Sequence, residues 1–482
     1  MALMTRRKAV LLAQLAALFV VVLFLTSHFG VLPDLPVSFS APSAPPKAHH
    51  IGFSVDDHDG TTRADDGDDW VSPIEVERFT NVSSLLPSIL DPADTSIDRM
   101  TCPPLNATRY GYLRPTTGGP NTSGRPYQYV FVLNLRQTVG LLPRLLGSVV
   151  EAIRFLGPAH CALSIVEGNS DDGTLEVLRL LAEPLAAMGV PYWLITSPLK
   201  PAAGDRITKL ALLRALAVEP VTGPLPAALR DATTLDADGK PEVPAPNTYW
   251  ALPRAAANLT SLVGKLSPDA TVIFANDVAA CAEDLLELVH QRLAQGADMT
   301  CAMDWAHGDG DDVDFFYDVW IGRGIDGDLF FEIDPLTLLW AGATHLFPHE
   351  HVARARLAAG VPFQVFACWN GAVAFAAAPL EQGRVGFRWP KQDECYQGEV
   401  QLFCKDMWAA GSGKIAVVPS VNLQYTDADG RHIKKARGYV SDFALVGVDV
   451  GEQIGWRGPP EQVKCMPTFS NQKWLPWNES LV

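Results

Sequence analysis

Five apolar runs punctuate the middle of the chain, and each stops on polar residues. They are Tyr127–Leu133, Ala162–Val166, Tyr192–Ile195, Thr271–Ala275 and Met299–Met303. Their length and enrichment in Val, Ile, Leu and aromatic residues predict buried strands. Between them lie stretches with apolar residues at helical spacing: Leu141–Phe155, a helix to about Met188 with Leu175, Leu178 and Leu181 on one side, Arg206–Val218, and Cys281–Gln295. Strands alternating with helices of this length mean βαβ units and a largely parallel sheet. A Pro/Asp/Gly-rich insertion at Thr222–Asn247 reads as a surface loop. No internal repeat is visible.

The N-terminus has another pattern. Arg6, Arg7 and Lys8 precede an uncharged stretch from Ala9 to Gly30, interrupted only by Gln14 and His28. About 20 apolar residues span a bilayer as a helix, and the basic flank puts the short N-terminal tail in the cytosol. A cleaved signal peptide shares the basic start, but its apolar core is usually about 7–15 residues and ends at a small-x-small site absent here. The expected layout is a cytosolic tail (1–8), a membrane anchor (9–30) and a largely disordered stem (31–125). A catalytic body (126–430) and a C-terminal extension (431–482) follow. Pro-, Ser-, Asp- and Gly-rich sequence supports the stem, including the acidic run Asp56–Asp69, which lacks calcium-loop spacing. Apolar residues and Cys102 between Val82 and Pro115 give that part of the stem the means to dock.

Composition refines this picture. The net charge of −16 argues against a nucleic-acid partner, which is bound through clustered Lys and Arg. All eight cysteines lie beyond the apolar stretch, and five N-x-Ser/Thr sequons occur at Asn81, Asn106, Asn121, Asn258 and Asn478. Both features suit an oxidising, lumenal compartment. Eight cysteines allow 105 pairings, so the connectivity stays open.

In an open α/β sheet the binding crevice lies beyond the carboxyl ends of the strands. This chain places Asn134 and Arg136 after the first strand, Glu167 and Asp171–Asp172 after the second, Asn276–Asp277 after the fourth and Asp304 after the fifth. Strand ends are polar in any protein because they meet water, but four in one sheet suit a nucleotide-binding edge. No phosphate-binding P-loop, no G-x-G-x-x-G at the first helix and no H-E-x-x-H occurs. His345, His349 and His351 (HLFPHEH) are better read as a polar loop than as a metal clip.

A sugar nucleotide needs its diphosphate charge neutralised, commonly by Mg²⁺ or Mn²⁺ on carboxylate oxygens. D-x-D triplets starting at Asp57, Asp236, Asp309, Asp326 and Asp427 match, all in loop-like surroundings. Asn276–Asp277 alone ends a buried central strand, which makes these two the candidate metal ligands. Arg206 and Lys209, neighbours on one helix face, are candidates for the phosphates; Arg214 points elsewhere on an ideal helix. A solvated basic face is the plain alternative. YDVWIGR and PFQVFACWNG combine rings with Asp318, Arg323, Gln364 and Asn370, a composition suited to holding a sugar, with Trp369–Asn370 the least ordinary part. Glu399 and Asp406, seven residues apart on a probable helix, are candidates for a general base or a hydroxyl ligand.

Taken together, LSIVEGNSDDGT, RITKLALLR, VIFANDVAACAEDLLEL, GADMTCAMDW, YDVWIGR, PFQVFACWNGA and LFCKDMW resemble the fungal capsule-associated α-1,3-mannosyltransferases, glycosyltransferase family 69. The match runs from about Tyr127 to Tyr425 in the family's order. It implies a single GT-A-type, Rossmann-like catalytic domain with a mixed, mostly parallel sheet, in a Golgi type II membrane protein. It also implies a GDP-mannose donor, a mannose-containing glycan acceptor and retention of the α configuration, with a divalent cation assisting. On that resemblance Asp304, Glu399 and Asp406 are the catalytic candidates. Asn134, Arg136, Glu167, Asp171, Arg206, Lys209 and Arg214 would bind the donor, and Asp318, Arg323, Trp369 and Asn370 the acceptor sugar. Two positions depart from the family pattern: Ala215 stands where Asn is usual, and Gly398-Glu399-Val400 replaces Ser-Glu-Cys, which leaves Cys404 to pair elsewhere. The alternatives are a retaining glycoside hydrolase, needing two close carboxyls and no nucleotide, and a membrane-anchored glycan-binding scaffold without turnover.

Overall fold

The structure is a computed structural model and describes residues 82–115, 124–199, 205–224, 261–307, 313–337, 343–445 and 453–481, with backbone only for three short strands between 234 and 250. The expected anchor, the acidic run 56–69 and the Asp236 and Asp309 triplets lie outside these residues. Among the described residues no helix is long and apolar enough to cross a membrane.

One sheet of eleven strands organises the body. In chain order its strands are β1 (Tyr127–Leu135), β2 (Cys161–Glu167), β3 (Tyr192–Thr196), β4 (Thr248–Trp250), β5 (Leu266–Ala275) and β6 (Met299–His307), then β7 (Asp314–Phe316), β8 (Arg323–Gly324), β9 (Phe363–Ala367), β10 (Ala372–Ala376) and β11 (Ile415–Leu423). Across the sheet the order is β8-β9-β11-β6-β10-β5-β1-β2-β3-β4, with β7 paired to β6. The pairs β1·β2, β1·β5, β2·β3 and β6·β11 are parallel, so these six long strands run the same way. Strands β4, β7, β9 and β10 run against them, which makes the sheet mixed but mostly parallel. Insertion of β10 between β5 and β6 brings its N-terminus to the edge where its neighbours end.

Alternation along β1 explains the layers. Val130 and Val132 enter one apolar cluster with Leu212, Leu213 and Leu216 of helix Arg206–Ala217. Tyr129, Phe131 and Leu133 enter the other, with the helices Leu142–Leu156 and Ala282–Ala294. In chain order we label the helices used below α1 (Leu86–Leu90), α2 (Leu142–Leu156), α3 (Arg206–Ala217), α4 (Ala282–Ala294), α5 (Glu399–Ala409) and α6 (Asp427–Arg437). Local chemistry sets their starts. The Asp205 carboxylate accepts from the N–H groups of Ile207 and Thr208 to cap α3, and the Asp284 carboxylate accepts from the Cys281 N–H to close the first turn of α4. The long helix expected to reach Met188 is interrupted: it divides into Thr174–Leu180 and Ala182–Ala187, with Pro184 in the second piece.

The stem boundary needs correction. Residues 82–115 are built into the body rather than disordered. Ile89, Met100, Tyr110 and Leu113 are buried in the cluster that α2 and α4 share. Cys102 is bonded to Cys281, Arg109 forms an ion pair with Glu287 at 2.8 Å, and the Met100 N–H donates to the Asp427 carboxylate. Two further disulfides join Cys301 to Cys368 and Cys395 to Cys465. The last fastens the C-terminal hairpin (Gln462–Thr468 and Asn471–Pro476) to the body. Cys404 does not pair elsewhere as expected; it is a buried free thiol, as is Cys161.

Candidate active site

Strands β1, β2, β5, β6 and β11 all end at one edge of the sheet, and β10 begins there. The chain enters β10 through Asn370 and Gly371, both with positive φ (54° and 83°). A Cβ on Gly371 would stand 3.0 Å from Val278 Cγ1, so the close approach as well as the backbone angle favours glycine. The Gly371 carbonyl accepts from the Asn276 N–H, which ties this turn to the end of β5. Asn370 is fully buried: its N–H donates to the Asp318 carboxylate at 3.1 Å and its amide to the Ala302 carbonyl at 2.8 Å.

Arg214 is the hub. Its Nε donates to Glu399 Oε1 at 2.7 Å and its Nη1 to Asn276 Oδ1 at 3.3 Å. The guanidinium lies 4.7 Å from the Trp369 ring and 5.2 Å from Phe274. Trp369 Nε1 also donates to Asn276 Oδ1. Thus α3, the first residue of α5, the end of β5 and the turn before β10 are locked through one buried cation. A desolvated charge is tolerated here because it has a carboxylate, an amide oxygen and two π faces. The expectation that Arg214 points away from the site is corrected. So is Asn276 as a metal ligand: its oxygen is already occupied by two donors.

Below this lock lie two carboxyl groups. Asp304 has no solvent exposure; one oxygen accepts from Tyr425 Oη at 2.6 Å and the other has no hydrogen-bond partner. Burial and the nearby Asp318 push its pKa well above the usual carboxylate range. Asp318, partly open at the edge, is raised to about 6, chiefly by burial, while the Asn370 N–H and Arg214 pull the other way. Two carboxylates sharing a dry pocket resist full ionisation. Tyr317 and Tyr425 stack edge to face at 5.1 Å beside them, and burial with the two aspartates raises the Tyr317 phenol to about 12. Arg206 and Asp277 are within electrostatic reach of the same Tyr317. The edge therefore gathers Arg214, Glu399, Asn276, Trp369, Asn370, Asp304 and Asp318, with Arg206 and Asp277 near them.

Other expected residues serve different ends. Glu167 is buried and its carboxylate accepts from the N–H groups of Ser170 and Asn169, so it shapes the β2 loop; burial raises its pKa. Asp171 exchanges hydrogen bonds with the Gln137 side chain, and exposed Arg136 donates to the Gly168 carbonyl, fastening the β1 and β2 ends together. Asn134 Oδ1 is buried without a hydrogen-bond partner beside them, an acceptor available to a ligand. Lys209 is 2% exposed, so the solvated-face alternative fails for it. Asp406 is not in the site: Arg388 holds it at 2.6 Å, in a cluster with Glu394 and Lys405. Arg323 is fully buried, and its Nε and Nη1 donate to the carbonyls of Lys464, Val319, Trp320 and Gly322, which makes it a fastener rather than a sugar ligand. His345, His349 and His351 meet Thr344, Glu332 and Arg354 respectively and form no cluster.

Tyr425 and Tyr317 escaped the sequence reading. The signal was present in IAVVPSVNLQY: an apolar run ending on Gln424–Tyr425 is a further parallel strand, and the strand-end rule then points to Tyr425. Tyr317 precedes Asp318 in the quoted YDVWIGR and was passed over for its neighbour. For a divalent cation, the candidate oxygen donor is the Asp277 carboxylate, partly exposed just after β5. Magnesium-type ions are commonly held by one or two carboxylates plus substrate phosphates and water, so this edge is compatible with one.

A family model described as Cryptococcal mannosyltransferase 1 matches residues 128–406. Alpha-1,3-mannosyltransferase CMT1 of Cryptococcus neoformans is 32% identical over 381 residues, covering 73% of each chain. Among solved structures, Staphylococcus aureus TarS (residues 1–349) aligns with a TM-score of 0.31 and 11% identity, over 62% of this chain and 60% of that one. Mannosyltransferase PcManGT from Pyrobaculum calidifontis, in complex with GDP-Man and Mn2+, aligns with a TM-score of 0.31 and 12% identity, over 78% and 77%. Likeness at that TM-score carries no argument for this chain.

Proposed function

The chain belongs to the cryptococcal mannosyltransferase family and is a mannosyltransferase, and from that premise we propose a retaining α-1,3 transfer from GDP-mannose to a mannose-containing glycan on a GT-A-type domain. The observation that carries the assignment of the site is the Arg214–Glu399–Asn276–Trp369 lock at the strand ends, which pre-organises one polar edge beside a buried carboxyl pair. We place the diphosphate against Arg206, the nucleoside over the Asn134–Glu167 ends of β1 and β2, and the reacting sugars over Asp318; Lys209 and Trp369, 2% and 1% exposed, support the site from within. Asp277 would hold a divalent cation, which when bound supplies charge neutralisation to the departing diphosphate.

Retention needs the acceptor 3-hydroxyl to form its bond to C1 on the face from which the phosphate leaves. The hydroxyl proton then passes to the departing phosphate oxygen, so no strong protein base is required. Ionised Asp318 accepts a hydrogen bond from a sugar hydroxyl. Asp304, out of solvent contact, acts as a positioning residue that fixes Tyr425 next to it. Trp369 is 1% exposed, so with Arg214 and Glu399 it braces the edge from within and is not the sugar-stacking ring expected of it. Golgi residence, with the body lumenal behind a membrane anchor at residues 9–30, belongs to the same proposal and rests on the apolar stretch, its basic flank and the disulfides.

The test is transfer by the full chain with GDP-mannose, Mn²⁺ and an α-linked mannobiose, with Asp277→Ala and a chelator in parallel, and NMR of the product. Metal-dependent transfer giving an α-1,3 product, lost in Asp277→Ala, is expected. An inverted product or transfer from another sugar nucleotide overturns the stereochemical or donor assignment. Transfer unaffected by chelator and by Asp277→Ala overturns the cation assignment.

A further inference from the structure

We propose that His307, Asp314 and His432 form a binding site for a borderline divalent cation of the zinc or cobalt type, separate from Asp277 and independent of the donor assignment. His307 is the last residue of β6, Asp314 the first of β7, and His432 lies in α6. His307 Nδ1 is 3.2 Å and His432 Nε2 3.0 Å from the same Asp314 oxygen, and the three donor atoms lie within 4.8 Å of one another. The two imidazole rings lie edge to face, with centroids 4.6 Å apart and planes at 63°. A cation about 2.1 Å from each donor, with angles between octahedral and tetrahedral, separates adjacent donors by roughly 3.0–3.4 Å, so both gaps to Asp314 fit as they stand, and the two imidazole nitrogens lie within 4.8 Å. Side-chain exposures of 35%, 10% and 42% leave an entry path and room for water as further ligand.

The donor set also selects the ion. Arg437, whose guanidinium lies 3.3 Å from the Trp305 ring, is within electrostatic reach of Asp314 and offsets part of its charge. Binding then depends on the two imidazoles, which suit zinc and cobalt better than magnesium or calcium. The site bridges the β6–β7 hairpin and α6. These flank Asp304 and Tyr425, so an ion here clips together two segments that frame the reaction edge. Without an ion the same geometry would be one carboxylate oxygen accepting from two imidazole N–H groups, and the experiment separates the two.

The full chain, stripped with chelator, is titrated with Co²⁺ while visible absorption is followed, and with Zn²⁺ while heat and thermal unfolding are followed. His432→Ala, Asp314→Asn and Asp277→Ala are measured beside it. We expect one Co²⁺ with a protein-ligand band, an increase in Tm with Zn²⁺, and at least about tenfold weaker binding in the first two variants. Unchanged binding is expected in Asp277→Ala. Because the His432 side chain is 42% exposed, its removal leaves the ion-free Tm near that of the parent, which serves as the folding control. Absence of a band and of heat in the parent chain, or equal binding by His432→Ala, overturns the proposal. Binding lost only in Asp277→Ala assigns the ion to the donor edge and overturns it equally, without touching the function proposed above.

Discussion

Asp318 occupies an uncomfortable position, and its discomfort is measurable. Its pKa is raised to about 6, chiefly by burial, from an ordinary value near 4. A carboxyl whose folded-state value is raised contributes stability that is complete below the unfolded value and is lost as pH rises through the folded one. Asp318→Asn should therefore raise Tm at pH 7 to 8 and change it little at pH 4. Activity moves oppositely: with the ionised form as hydroxyl acceptor, transfer by the parent chain rises through about pH 6. Asp318→Asn loses a charged hydrogen bond to substrate, about 1.5–3 kcal/mol, or roughly ten- to a hundredfold in kcat/KM. A variant less active and no more stable at pH 8 contradicts this account. The Arg214–Glu399 pair sits at the same edge with both side chains at or below 10% exposure. Removing one partner leaves a buried charge, which costs about 3–5 kcal/mol. Glu399→Leu is thus expected to unfold at markedly lower denaturant, whereas Glu399→Gln, which keeps an oxygen acceptor for Arg214, retains more of the stability. If both variants unfold alongside the parent chain, the lock does not hold the edge together.

At the scale of elements, the N-terminus of α4 meets α6 through Asp284 and Lys434, an ion pair at 2.6 Å with neither side chain exposed. Glu283 beside it is raised to about 8, by burial first and by Asp284 second. By the same sign, the stability Glu283 contributes is lost as pH rises from the ordinary carboxylate range to about 8, so Glu283→Gln should flatten the fall of Tm between about pH 5 and 8. A parallel decline in the variant would place the titrating group elsewhere. Periodicity read most elements well, because each core strand is a short apolar run with polar ends: β1, β2, β3, β5 and β6 and helices α2, α3 and α4 lie within a few residues of their expected bounds. What it missed has physical causes. Strand β11 contains Pro419 and Ser420, and β10 is an Ala-rich segment (AVAFA) whose strand character comes from antiparallel insertion between β5 and β6. The candidate edge was legible where residues follow a strand, as with Asn276 and Asp277 after β5, whereas β6 runs three residues past Asp304. It was illegible where contacts join distant segments. Arg214 and Glu399 are 185 residues apart, and nothing near Asp406 announces that Arg388 binds it.

On the scale of the whole molecule, the apolar face of α2 and α4 decides where the folded body begins. Periodicity shows both helices to be amphipathic, but not what covers them; the stem-like composition around residues 82–115 hid the answer. Ile89, Met100, Tyr110 and Leu113 are buried there, and full burial of such side chains contributes about 1.5–3 kcal/mol each. Arg144 donates to the Met100 carbonyl, and Arg109 and Tyr110 both donate to Glu287. A chain beginning at residue 116 would leave Glu287 buried without those donors and Cys281 without Cys102. The Cys102–Cys281 bond also closes a loop with a sequence separation of 179, for which chain-entropy reasoning gives roughly 5 kcal/mol. Two shortened chains, beginning at residues 82 and 116, should therefore differ sharply. The first keeps its cover; the second is expected to aggregate or to bind a hydrophobic dye, even with every proposed substrate-binding residue present. Cys102→Ser with Cys281→Ser in the full chain separates covalent from packing effects: the segment stays protected from protease because its side chains remain buried, while Tm falls. Equal Tm and solubility in both shortened chains would show that the domain starts after residue 115, and that the segment is an appendage rather than part of the core.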